Sequence, residues 1–412
     1  MIKFFSFFLL HAIFLCSFPA IAQTVARAAI DFGSGGIKIQ VSLVDTDQNR
    51  ILGTPLLAKY VIVNLTEDVA AHGCISPEME QRTIAILQQF KDEALMASQN
   101  YPLQFTGIAT AVFRKAQNGP ELLAKFERQL GIPFQILSQA EEGKLGYTTA
   151  KALHPDVIEE HLFAWDSGNG SFQMTVKEQE AYHVYQGPLG HGSVRVFLSR
   201  DIRNSPAFMP HSPDNPISHV EAANLTKIIQ NNLPEAPLWL QKKLEEKNTV
   251  VTTHGDGESA FALVAQALAE MEGATELVQE ALVYSSDVPK VLQAYLNKDD
   301  DFLHSKGLHP KTVTSAILVS SVMEHFGIQA FSYKRAIGNT SGMAITPQLW
   351  TPVQVKTEKQ FKEIPAISLS ALDYLRKAQK AANITRFIFV RHGESTSNKE
   401  KSIAGRTLDA DL

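Results

Sequence analysis

Between residues 26 and 44 the apolar run "RAAIDF" gives way to a Gly-rich bend and then to Ile37, Ile39, Val41 and Leu43, at period two with mostly polar residues between them. Side chains two apart share one face of a strand, so the pattern predicts a β-hairpin. A further strand is expected near Val61-Ile62-Val63. Ser76-Pro77 reads as an N-cap and first-turn pair opening a helix to about Ala97, with Ile84, Leu87 and Leu95 on its apolar side. "LQFTGIATA" predicts a buried strand entering a loop, "NGPELLAKFERQL" a helix closed by Gly131, "FQIL" a strand, and "QAEEGKLGYTTAKAL" a helix beginning near Gln139. "HLFAWDSGNGSFQMTV" then repeats strand, Gly-rich turn, strand. A third Gly-bearing turn, in "VVTTHGDGES", follows a strand at 249–253 and opens a helix near Glu258. Helices dominate 218–296, and "KTVTSAILVSSVMEHFGIQAFSYKRAIGNTSGMAI" reads as a buried helix, a Gly stop, a short strand and a turn.

Two hairpins of one design, each with an Asp closing its first strand, predict a duplicated α/β architecture. Short Gly-rich turns bring several backbone N–H groups to one point and bind anions without net positive charge. The candidate phosphate cradles are Gly33, Ser34, Gly35 and Gly36, and Gly168, Asn169, Gly170 and Ser171. A strand-terminal carboxylate beside such a cradle can hold Mg²⁺ through water, which makes Asp31 and Asp166 the candidate metal residues. The alternative for each is an Asx-turn, the carboxylate capping the N–H groups that follow it.

Composition narrows the function. Residues 1–22 carry one charge, Lys3, an apolar run to Phe18 and Ala20-Ile21-Ala22, the pattern of a cleavable signal peptide. The run falls short of the roughly 20 apolar residues a spanning helix needs. The expectation is a periplasmic or secreted protein with no transmembrane anchor after cleavage. Without Lys3 there remain 37 Lys and Arg against 43 Asp and Glu, and no basic run, which excludes general nucleic-acid binding. Only Cys74 survives cleavage, so stability comes from a core rather than a disulfide.

"RAAIDFGSGGIKIQVSLVD", "GIATAVFRKAQNGPELLAKFERQLGIPFQILSQAEEGKLGYTTA", "FAWDSGNGSFQMTV", "GPLGHGSVR" and "THGDGES" resemble, in order, the blocks of the exopolyphosphatase and guanosine pentaphosphate phosphatase family, over 25–344. The resemblance implies an α/β fold of two ribonuclease-H-like (actin/Hsp70-type) domains, 23–137 and 138–346, around a central cleft. In it, Mg²⁺-assisted hydrolysis removes a terminal phosphate from a phosphoanhydride chain. It also implies that Glu141 activates the attacking water and that Arg114, in a loop shared with Asn118, clamps phosphate. The alternatives are a first-turn carboxylate favoured by the helix dipole for Glu141, as for Glu142, and a surface ion pair for Arg114.

Two departures widen the reading. Gly35-Gly36 stand where the family usually has Asn-Ser, and Gln173 where its second loop usually ends in Glu. Gln173, Glu142-Gly143 and Tyr147 resemble instead the apyrases, secreted nucleotide hydrolases of the same superfold. The expected substrate is therefore polyphosphate or a nucleotide, with a catalytically weakened binding protein as the non-enzyme alternative and a homodimer as the one protein partner considered. His191, Arg195, Arg200 and Arg203 read as a solvated basic face rather than a polyanion path, and His254 as a loop histidine outside catalysis. After a connector at 347–383, "RFIFVRHGESTSN" in the short C-terminal extension 384–412 resembles the opening of the histidine phosphatases; without the partner residues of that chemistry, His392 is expected to be inert.

Overall fold

The structure is a computed structural model describing residues 24–33, 35–63, 65–99, 101–205 and 214–350, all within one unit ending at Pro352. The expected signal peptide, most of the connector, the C-terminal extension and Ser34 lie outside the described residues.

The first hairpin forms as expected, from β1 (Thr24–Phe32) and β2 (Gly36–Asp45), and continues into β3 (Arg50–Ile62). β4 (Leu103–Ala109) and β5 (Phe134–Ile136) complete a five-stranded sheet of order β3-β2-β1-β4-β5, antiparallel through β3, β2 and β1 and parallel from β1 to β5. The second half repeats the plan. β6 (Leu162–Ser167), β7 (Phe172–Glu178) and β8 (Ala181–Gly187) form the meander, β9 (Val250–Gly255) and β11 (Ala330–Arg335) add in parallel, and β10 (Glu280–Tyr284) closes the edge, in the order β10-β11-β9-β6-β7-β8. This is the expected α/β architecture with two sheets.

The alternation in β2 predicts a strand wet on one face. Instead Gln40 and Ser42 are buried as fully as Ile39 and Val41. The helix Pro77–Ser98 covers one side, and the short helix Thr340–Ile345 covers the other, where Gln40 hydrogen-bonds Thr340 and Ser341. That last helix comes from the far end of the described chain, and Arg27 Nη1 donates to Ala344 C=O at 2.6 Å to hold it on the first sheet. The helix Pro77–Ser98 starts at the expected N-cap, Ser76, but its buried stripe is Thr83, Leu87, Phe90, Ala94 and Ser98. Leu95 is 52 % exposed, because it sits one residue, about 100° of helix, beyond Ala94. Gly131 and Gly327 end their helices in the left-handed conformation, as expected of C-terminal glycines.

Two apolar cores follow the two sheets. Phe32, Phe113, Phe126 and Phe134 pack edge-on or stacked beneath the first, and Trp165, Phe172, Phe261 and Phe331 beneath the second. Among the described residues no helix is long and apolar enough to cross a membrane.

Candidate active site

Asp31 and Asp166 occupy the same place in the two halves. Each is the penultimate residue of the first strand of its meander, and each is followed by the same tight turn, Gly33 N–H donating to Gly36 C=O at 3.0 Å and Gly168 N–H to Ser171 C=O at 2.9 Å. Both turns face one cavity of about 340 Å³ between the sheets, which both aspartates line. In the second turn, His191 and Gly192 N–H groups take the Gly168 and Asn169 carbonyls at 3.2 and 2.7 Å. The N–H groups of Asn169, Gly170 and Ser171 donate to no described residue. With the Gly168, Asn169 and Ser171 carbonyls occupied and three successive N–H groups unengaged among the described residues, the turn has the donors to receive an anion.

Among the described residues neither aspartate caps its own turn; both turn to Asn339 instead. Asp31 Oδ2 accepts from the backbone N–H of Asn339 at 3.0 Å and Asp166 Oδ2 from its side-chain Nδ2 at 3.1 Å. Burial pushes the Asp31 carboxyl above its usual range; Lys38 and the Asn339 N–H oppose the shift, and the charges of Asp166 and Asp256 add to it. Strand register sets an asymmetry between the halves: Lys38 stands opposite Asp31, but the neutral Gln173 stands opposite Asp166. Gln173 lines the cavity and donates from Nε2 to Ser171 Oγ at 3.3 Å.

The carboxylate of the helix Gln139–Leu153 that faces this cavity belongs to Glu142, not to Glu141. Ser138 caps the helix, and Glu141 reaches back to Ser138 N–H and Oγ at 2.7 Å each, closing a capping box that holds it at the exposed surface and below the usual carboxylate range. Glu142 lies one residue, about 100°, round the helix, on its buried side, where Gly143 and Gly146 pack on the second sheet and Leu145 packs with Ala29 and Ile108 of the first. Two glycines permit that approach: a Cβ at Gly143 would stand 2.5 Å from Val184 Cγ1, and one at Gly146 would stand 3.1 Å from the Asp166 carboxylate. Burial raises the Glu142 carboxyl, its ion pair with Arg114 opposes the shift, and the charges of Asp166 and Asp31 add to it.

Arg114 does not line the cavity. Its guanidinium donates to Leu137 C=O and to Glu142 Oε2, the latter at 3.3 Å, and so holds the carboxylate. Asn118 is also structural, its side chain pairing both backbone groups of Ile75 at 2.9 Å. The basic run divides. His191 and Arg195 line the cavity, whereas Arg200 pairs with Asp201 and Arg203 with Glu221 outside it. Burial, with Lys311, Arg195 and His309 nearby, takes the buried His191 well below its ordinary pKa and so keeps it neutral.

The model of the Ppx/GppA phosphatase family matches residues 44–336. The chain belongs to that family. It is an enzyme family of phosphoanhydride hydrolases, exopolyphosphatases among them. Solved structures of Ppx/GppA proteins share the fold. The Aquifex aeolicus PPX-GPPA enzyme is 16 % identical, with 78 % of this chain and 99 % of that one covered at a TM-score of 0.57. An exopolyphosphatase from Cytophaga hutchinsonii is 15 % identical, covering 77 % and 96 % at 0.56.

Three further residues line this Ppx/GppA cleft, Lys38, Lys311 and Asn339. Lys38 lines the cavity, and Asp256 and Asp31 raise its pKa against the opposing effect of burial. Its Nζ reaches Asp256 Oδ2 in the third Gly turn at 3.2 Å, across the cleft. Lys311 pairs with Glu258 at 3.1 Å, and Asn339 joins the two aspartates. Lys38 is visible in "GGIKIQ" as the one charge of that stretch; Lys311 and Asn339 carry no local signal, because only tertiary folding brings them to the site.

Proposed function

We propose that the protein is an exported, Mg²⁺-assisted phosphoanhydride hydrolase that releases the terminal phosphate of inorganic polyphosphate, with Glu142 as the base that activates the attacking water. The observation that carries the reading is Glu142 itself: a buried carboxylate on the wall of an anion-binding cleft, oriented by Arg114 and with its proton affinity raised. A raised pKa makes a carboxylate a better base near neutrality. Asn169, Gly170 and Ser171 N–H groups would receive phosphate oxygens, and Lys38 and Lys311 would add ammonium groups to the same polyanion. The apolar "FLLHAIFL" stretch of residues 1–22 supports export.

Mg²⁺ fits the donor set. Asp31 and Asp166 offer hard oxygen ligands from opposite walls, and their Oδ1 atoms accept no hydrogen bond from the described residues. Among the described residues no three of His, Cys, Asp and Glu converge into a full cage, which suits an ion that keeps several waters and takes one or two carboxylates plus phosphate oxygens. Bound there, Mg²⁺ would offset negative charge on the phosphate oxygens as the anhydride opens. Asp31 and Asp166 would hold it, while Glu142 accepts the proton of the water.

The base predicts a pH dependence. Rate is lost as pH falls through the raised pKa of Glu142, so the acid limb of kcat/KM should lie above the ordinary carboxylate range. Arg114→Met removes the charge that opposes the shift, so the limb should move to higher pH. A pH–rate profile whose limb stays in place or moves down in that variant would separate Glu142 from the rate.

A second reading, nucleoside triphosphate hydrolysis, is favoured by an adjoining cavity of about 500 Å³ whose wall includes Leu263, Leu277, Leu308, His309 and Arg335. The 256–258 turn and the 309–311 loop contribute to both: Gly257, His309 and Pro310 line this cavity, and their chain neighbours Asp256, Glu258 and Lys311 line the phosphate cleft. Phosphate release from inorganic polyphosphate and from ATP, each with Mg²⁺, separates the readings. Preference for polyphosphate supports the first and preference for ATP the second, while tight binding of either with no release supports a non-catalytic binding protein and overturns both.

A further inference from the structure

We propose that Asn339 is a positioning residue that fixes the two metal-holding carboxylates, one from each sheet, relative to each other and to the helix bearing Glu142. The proposal rests on the reading of the cleft given above.

Asn339 meets four elements at one point. Its backbone N–H donates to Asp31 Oδ2 at the end of β1, and its Nδ2 donates to Asp166 Oδ2 at the end of β6. Its Oδ1 accepts from His254 Nε2 in β9 at 3.0 Å and shares the single proton of Thr149 Oγ1, 3.1 Å away, with Leu145 C=O at 2.9 Å. Thr149 stands seven residues, two turns, after Glu142 on the same face of the same helix. The chemistry permits one orientation of the carboxamide: a carboxylate only accepts, so Nδ2 faces Asp166, and Oδ1 takes the imidazole N–H. The His254 tautomer agrees, since its buried Nδ1 has no partner among the described residues and needs no proton.

The preceding residue shows how closely this turn is set against the site. Gly338 has φ +56°, a region that favours glycine, and a Cβ there would stand 2.3 Å from Asp31 Oδ2 and 2.8 Å from Lys38 Cδ. Two like charges brought to one residue repel and, untethered, would turn apart. Asn339 offsets this with a hydrogen bond to each, both to Oδ2, so that the two Oδ1 atoms keep their spacing before a cation arrives. A ligand-orienting partner of this kind is typically worth tenfold to a hundredfold in metal affinity or activity.

The test uses the full chain with Asn339→Ala, which removes the carboxamide but keeps the backbone N–H to Asp31, and reads three quantities. These are Mn²⁺ affinity without substrate, by electron paramagnetic resonance; kcat and KM for inorganic polyphosphate; and the thermal midpoint. Mn²⁺ binding and kcat should each fall by about tenfold to a hundredfold, with KM and the midpoint little changed. In the Asp166→Asn background the same change should add nothing to the loss of Mn²⁺ affinity, because the carboxamide acts through Asp166. Unchanged Mn²⁺ affinity, losses that multiply in the double variant, or a kcat that falls only in step with the thermal midpoint would each overturn the proposal. If Asn339→Ala does not fold, Thr149→Val keeps both aspartate bonds and removes one support of the carboxamide. It should weaken Mn²⁺ binding in the same direction but less, and unchanged affinity there is equally fatal. The Mn²⁺ arm needs no turnover, so a parent protein inactive on polyphosphate would sink the functional reading without deciding the role of Asn339.

Discussion

Glu142→Gln is expected to leave a folded protein that releases phosphate roughly a hundredfold to ten-thousandfold more slowly than the parent, the range a general base contributes. The amide keeps the shape of the side chain and loses the ability to take a proton. Folding should survive, since the substitution removes from the cleft wall a buried carboxylate that burial and the neighbouring aspartates disfavour as an anion. Glu141→Gln is the matched control. Gln also serves at the third position of a capping box, so the helix start persists and turnover should stay within about twofold of the parent. Glu141→Ala should instead cost about 1 kcal/mol of stability, a loss typical of a helix cap, and leave turnover intact. Phosphate release and thermal unfolding measured on the three variants check all of this.

Asp166→Asn should lower turnover by about a hundredfold to a thousandfold and raise the Mg²⁺ concentration needed for half-maximal rate, because an amide cannot supply the charge that holds the ion. Asp31→Asn should follow the same course with a smaller shift in Mg²⁺ requirement. The difference follows from register: Lys38 opposite Asp31 already offsets its charge, whereas Asp166 faces neutral Gln173. A Mg²⁺ titration of phosphate release in which Asp166→Asn keeps the parent's midpoint would contradict this placement of the ion.

Much of this was legible in the chain itself. Period-two alternation and two Gly-rich bends mark the hairpin that opens each meander, and the Asp near the end of each first strand marks the residues that the fold brings to one cavity. β8 and β10 were not recovered, the latter a five-residue edge strand within a region where helical patterns dominate. Short edge strands carry few apolar contacts, so their sequences are only weakly constrained.

The shift from Glu141 to Glu142 is more instructive, because the signal was present. Ser138 and Glu141 have the Ser-x-x-Glu spacing of a capping box, which commits Glu141 to the helix start. The phase agrees: Glu141, Lys144, Thr148 and Lys151 form a polar face, while Glu142, Leu145, Gly146 and Thr149 form the face that the structure buries. The family resemblance makes Arg114 a phosphate clamp, with an ion pair as the alternative, and the ion pair is what forms. Its partner, Glu142, is 28 residues away, and such a pairing is set by packing rather than by local pattern. Asn339 lies beyond local reading for the same reason, since its partners come from positions 31, 149, 166 and 254.

The most direct test of water activation in this cleft is hydrolysis of inorganic polyphosphate in ¹⁸O-labelled water with Mg²⁺, followed by mass analysis of the products. Attack on the terminal phosphorus by water that Glu142 deprotonates predicts one ¹⁸O in each phosphate released, chains shortened one unit at a time, and loss of both in Glu142→Gln. Label retained in the shortened chain rather than in free phosphate, or label released by Glu142→Gln at the parent's rate, would contradict it.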